Sequence, residues 1–185
     1  MILSRDEALN IVKENIKDEK LIKHVLAVEA IMREVAKAIE EDEDLFGIVG
    51  LLHDIDFEKT KENPGLHGKV ALEILKDLIS YEAKHAILAH NFERTNIEPN
   101  SKMDYALIAS DSISGLIIAC ALILPSKKLE DVTPSFIANR FKQKDFARNC
   151  KRERILFCRM LGLSEQEFFE ISLRALKKIS NTLGL

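Results

Sequence analysis

Cysteine is scarce in this chain: Cys120, Cys150 and Cys158 are the only three in 185 residues, and they form no CxxC pair. An odd number at that spacing argues against a disulfide framework or a zinc knuckle and fits a reducing cytoplasm. Charge of one sign is also lacking. The net charge of −3 makes the whole molecule no general binder of nucleic acid. The amino terminus, MILSRDEALN, turns charged at once and has no signal-peptide core. No stretch alternates apolar and polar residues as a half-buried strand does, and there is no heptad, internal repeat or low-complexity tract. No serine or cysteine stands in a recognisable triad. With five histidines, even that residue is not enriched.

What is present is helical periodicity almost throughout. Ser4 with Glu7 forms a capping box before a helix over 5–16. Residues 18–41 carry Leu21, Ile22, Val25, Val28, Ile31, Met32, Val35 and Ile39 at the three-four spacing of one face, and His24 borders that face. Further helices are expected over 43–53, 67–79, 81–91 and 102–124, with loops at IDFEKTKENPGL and NFERTNIEPNS. Thr133-Pro134 starts a helix to about 142, residues 151–161 read as helical, and Ser164 with Glu167 opens the last helix, 165–183. This predicts an all-α domain of eight or nine helices. Its core is 1–125, and 126–185 is a helical extension packed on the same domain. The run Tyr105–Leu124 is nearly long enough to span a bilayer, but it contains Asp111 and ends at Pro125, so it reads as a buried helix.

The histidines carry the functional information through their placement. His24 lies mid-helix, the pair His53-Asp54 ends an apolar run, His67 opens a later helix, His90 closes another, and Asp111 sits among apolar residues. Neutral imidazoles and carboxylates delivered from several helices are what a buried divalent-metal site requires. Within a regular helix His53 and Asp54 would diverge by about 100°, but at a helix end both can turn to one point. Burying Asp111 among Ile, Leu and Ala is costly without a charge partner, no Lys or Arg lies within a turn of it, and a metal would fill that role. The mixed N/O set suits Mn, Fe, Co, Ni or Zn better than Ca or Mg. His24, His53, Asp54 and Asp111 form the core, and His67 and His90 decide between one ion and two, with Asp54 bridging. His85 reads as a surface or packing residue.

Taken together, LIKHVLAVEAIM, VGLLHDID, LHGKVALEIL, AILAHN and ALIASDSISGL resemble the HD superfamily of metal-dependent phosphohydrolases over about residues 20–125. The two extra histidines resemble its two-metal branch, a layout shared by bacterial symmetrical diadenosine-tetraphosphate hydrolases. The resemblance implies an all-α fold and a phosphohydrolase with His53 and Asp54 at the centre of the chemistry.

The expected reaction is hydrolysis of a phosphate ester or anhydride of a nucleotide or related small phosphate compound. A divalent ion would make hydroxide available near neutral pH and polarise a phosphoryl oxygen. Residues 127–159 hold ten basic against four acidic side chains, a segment suited to holding an anionic substrate. Lys59, Arg140 and Lys144 are the substrate-binding candidates, and Phe136, Phe141 and Phe146 read as core anchors. Asp56 and Glu58 follow the HD pair, where proton-transfer and surface roles weigh equally. Two alternatives stand: a di-iron oxygenase of the same superfamily, and a catalytically idle regulatory domain. The expected partner is a small phosphate-containing anion, with neither nucleic acid nor membrane, and a homodimer stays open.

Overall fold

In the computed structural model, which describes residues 3–185, helices begin where the capping chemistry says they should. Ser4 and Glu7 exchange hydrogen bonds and open α1 (Arg5–Asn15), and Asp18 caps α2 (Glu19–Ala38). Asp42 takes the N–H groups of Asp44 and Leu45 to start α3 (Glu43–Leu52). Then come α4 (Phe57–Thr60), α5 (Lys69–Leu75), α6 (Tyr81–Ala89) and α7 (Phe92–Thr95). The long α8 (Lys102–Ile123) follows, with its own capping box from Ser101 and Asp104. Thr133 caps α9 (Pro134–Phe141), which precedes α10 (Arg152–Ile155), α11 (Glu165–Lys178) and α12 (Ser180–Leu183). No strand occurs among the described residues, so the all-α expectation holds.

The departures from the expected boundaries have local causes. Both stretches read as loops contain a short α-helical turn, α4 and α7, and the first adds a 3-10 turn at Pro64–Leu66. His67 does not open a helix: Gly68, at φ 89°, separates it from α5. Only glycine suits that position, because a Cβ there would also sit 3.1 Å from the Ile87 carbonyl oxygen. The helix expected over 67–79 ends early, at Lys76 with φ 42°, and the last helix breaks at Ile179.

Two helices organise the core. α2 buries Val25, Val28, Ile31, Met32 and Val35 completely, and it packs most extensively on α3. The approach is close because Gly50 faces α2, where a Cβ would lie 3.1 Å from the Glu29 backbone. Glu29 is itself buried, and the Arg5 guanidinium grips it at 2.6 and 2.9 Å while Arg33 adds a third contact at 3.1 Å. α8 is covered by α2, α6, α9, α10 and α11. Its mean hydropathy of 2.1 and its length would suit a bilayer, yet most of it is buried inside the protein. α11 returns to α2, where Arg174 and Lys178 both pair with Glu34.

Candidate metal centre

Five chain segments meet at one end of α2 and α3. α2 contributes His24, the end of α3 His53 and Asp54, the residue before Gly68 His67, the end of α6 His90, and the middle of α8 Asp111. Their ligand atoms form two sets, His24 with His53 and Asp111, and Asp54 with His67 and His90. Asp54 joins them. Its Oδ1 lies 3.4 Å from His53 Nε2, 3.2 Å from His67 Nε2 and 3.5 Å from His90 Nε2, and its Oδ2 lies 3.6 Å from His24 Nε2. His24 Nε2 is 3.2 Å from Asp111 Oδ1. His85 stays apart, pairing with buried Asp104 at 3.0 Å.

The outer nitrogen of each ring is engaged, which turns every Nε2 inwards. His53 Nδ1 donates to the Gly50 carbonyl at 2.7 Å, and His90 Nδ1 to that of Ile87. His67 Nδ1 donates to Asp56 Oδ1 at 2.8 Å. His24 Nδ1 faces Ser114 Oγ at 3.4 Å, a hydroxyl whose own proton goes to the Asp111 carbonyl. Partners of this kind fix the tautomer and aim of metal-binding imidazoles.

This arrangement demands positive charge at its centre. His67 and His90 hold their Nε2 atoms 2.9 Å apart, and two lone pairs tolerate that only with a proton or metal cation between them. His53 Nε2 is buried with no hydrogen-bond partner. Burial drives His53 down to about 4, so the ring is neutral. Burial also works against His67, but its hydrogen bonds to Asp54 and Asp56 carry it up to about 10. Burial opposes the ionisation of Asp111, yet the hydrogen bond from His24 brings it to about 2. Asp54, despite burial, is held well below the usual carboxylate range by the surrounding histidines. A proton on His67 thus offsets carboxylate charge where a divalent cation would do so with all four imidazoles neutral. The donor set fits such an ion.

A cavity of about 360 Å³ opens on the cluster, lined also by Leu21, Phe57, Asn91 and Arg154. Arg154 is the charge partner of Asp111 that short-range sequence inspection does not find: its Nη2 lies 3.7 Å from Asp111 Oδ2 and donates to the His90 carbonyl. The three substrate-binding candidates lie elsewhere. Lys59 is tied to Asn15 at 2.6 Å, and Arg140 rests on the rings of Phe136 and Phe146. Neither lines the cavity, whereas Lys144 lines a hollow further out. Arg152 is absent from the cavity lining and is spent on its own segment. Its guanidinium donates to the carbonyls of Arg140, Phe141, Gln143, Phe146, Ala147 and Cys150.

Asp56 and Glu58 have structural tasks. Glu58 takes the N–H groups of Lys17 and Asp18 ahead of α2. Asp56 is fully buried, holding His67 with one oxygen and the N–H groups of Gly68 and Ala71 with the other. An amide there cannot accept on both sides, so Asp56→Asn either turns the His67 ring or frees the start of α5. We expect the folded variant to bind Mn or Zn about 10–100-fold more weakly in a competition titration, the range for a lost ligand-orienting partner. Unchanged affinity would deny Asp56 this orienting task.

Comparison with known proteins was consistent with this geometry. Residues 21–121 match a family model described as HD domain. A relative from Methanocaldococcus jannaschii, named only as an uncharacterized protein, MJ0778, is 33% identical over 145 residues, which is 71% of this chain and 83% of that protein. No solved structure gives a significant match.

Proposed function

The chain belongs to the HD domain family, whose members are generally metal-dependent hydrolases, and we propose on that premise that it hydrolyses a phosphate ester or anhydride of a nucleotide or related small phosphate compound. The observation that carries this reading is the convergence of four imidazole Nε2 atoms on two carboxylates, each ring held from behind. His24, His53 and Asp111 would hold one divalent transition ion, and Asp54, His67 and His90 a second. Asp54 presents oxygens to both sets, which favours the two-ion arrangement of the branch that includes diadenosine-tetraphosphate hydrolases. Such ions supply Lewis acidity: they ionise water near neutral pH and offset charge on phosphoryl oxygens.

The chain's own groups do the rest. No serine, cysteine or lysine lines the cavity that opens directly on the cluster, which favours water as the nucleophile. The Arg154 guanidinium stands at the rim with donors suited to phosphoryl oxygens. Asn91 fixes the wall beside His67 by donating to the Pro64 and His67 carbonyls at 3.1 and 3.2 Å. Phe57, packed edge-on against His67, forms the apolar lip.

Elemental analysis of the purified protein should find one to two divalent transition ions per chain. A screen of nucleotides and dinucleoside polyphosphates with added Mn, Co, Ni or Fe should reveal hydrolysis that a chelator abolishes. A metal-free protein with chelator-insensitive turnover would overturn the reading, and turnover requiring dioxygen would move it to oxidation.

A further inference from the structure

The cleft does not stop at the histidine–aspartate cluster. It continues into a hollow of about 210 Å³ that shares His24, Asp111 and Arg154 with it and adds Asn149, Cys150 and Lys151. A third hollow shares Cys150 and Lys151 and reaches Lys144 and Arg148. Along this line the fixed charge changes sign, from two carboxylates bound up with histidines to a run of cations.

The cations nearest the cluster keep donors for a ligand: Arg154 Nη2 donates to the His90 carbonyl, but the rest of the guanidinium is loosely held. Arg154 Nε is buried without a partner, and the nearest carboxylate oxygens to the guanidinium are 3.5 Å away at Glu93 and 3.7 Å at Asp111. These separations are too long for good charge-assisted hydrogen bonds. Lys151 pairs with Glu93 at 3.0 Å but is more than half exposed, so that pair contributes at most about 1 kcal/mol and yields easily to a ligand. Between Asn149 and Lys151, the Cys150 thiol sits directly over residue 115 of α8, where glycine leaves it room. A Cβ there would lie 2.9 Å from Cys150 Sγ.

Resting on the phosphohydrolase reading, we infer that Lys151 and Arg154, with Asn149, form a second anion subsite that selects compounds with two linked phosphoryl groups over monophosphates. One phosphoryl group lies at the cluster. Its neighbour lies in the adjoining hollow, between Lys151 and Asn149, and Arg154 at the junction donates to both. The C-terminal segment, outside the matched residues 21–121, then sets substrate choice.

The test uses binding, so that turnover does not enter. Methylenediphosphonate, whose P–C–P bridge resists hydrolysis, and inorganic phosphate are titrated calorimetrically into the full chain, as purified and with saturating Mn. Wild type should bind the diphosphonate at least about tenfold more tightly than phosphate, roughly the effect of one added charge-assisted contact. Lys151→Ala should remove most of that preference while phosphate affinity and metal content stay unchanged. Gly115→Ala, which displaces Cys150, should act in the same direction. No preference in wild type, or equal weakening of both ligands in Lys151→Ala, overturns the subsite. If the preference depends on Lys151 but no phosphate compound is hydrolysed, the subsite stands and the phosphohydrolase reading falls. If hydrolysis occurs without the preference, the reverse holds.

Discussion

Asp54→Ala should empty the metal centre and abolish activity together. The side chain touches all four imidazoles, with oxygens 3.2–3.6 Å from their Nε2 atoms. No other carboxylate faces both histidine sets, so no neighbour can replace it. Removing a partner one step behind a ligand costs about 10–100-fold in metal affinity, and removing a shared ligand costs more. We expect metal content near zero and kcat/KM down by at least about 1000-fold, since water loses its activation near neutral pH. Circular dichroism should still report a helical fold, because the apolar side chains that α2 and α8 bury stay in place. Full metal content in the folded variant would locate the site elsewhere.

The second large effect is on stability. Arg152 has no carboxylate partner among the described residues. Its guanidinium instead ties together the six carbonyls of residues 140–150 that it reaches, in a stretch whose backbone, once α9 ends at Phe141, makes only isolated turns closed by the N–H groups of Gln143, Phe146 and Cys150. Hydrogen bonds to a charged group contribute about 1.5–3 kcal/mol each when buried. Here the cage is partly open to water, so Arg152→Ala should cost roughly 2–4 kcal/mol in all, a fall in Tm of about 5–15 °C for a chain of this size. Lysine should rescue little, because an ammonium cannot span so broad a set of acceptors. Limited trypsinolysis should show new cleavage at exposed Lys142, Lys144 and Arg148. An unchanged Tm and digestion pattern would mean the loop is held by its phenylalanines instead.

How much of this could be read from the chain depended on whether the signal was local. Capping boxes at Ser4 and Ser164 mark their helices because donor and acceptor lie three residues apart. The grouping of His24, His53, Asp54, His67, His90 and Asp111 was also legible, since each sits beside an apolar pattern or at a helix end. Asp56 was not distinguishable from Glu58, because its burial depends on a contact with Gly68 and Ala71 across a turn whose sequence shows no regular period. Arg154 was one basic residue among ten, and only tertiary packing brings it to Asp111. Arg140 was misleading for the same reason: its charge is visible in the sequence, but its seat on Phe136 and Phe146 is not. The breaks at Lys76 and Ile179 involve no glycine or proline, the residues that usually announce them.

The return of α11 to α2 also bears on the order in which the helices pack. α2 lies next to α3 in the chain and packs on it most extensively, whereas α11 is distant in sequence and the Leu183 carbonyl that Lys23 reaches lies 160 residues on. Contacts of such long sequence separation form slowly, because the loop-closure entropy must be overcome first. The α2–α3 pair therefore closes before α11 completes the cover of α2.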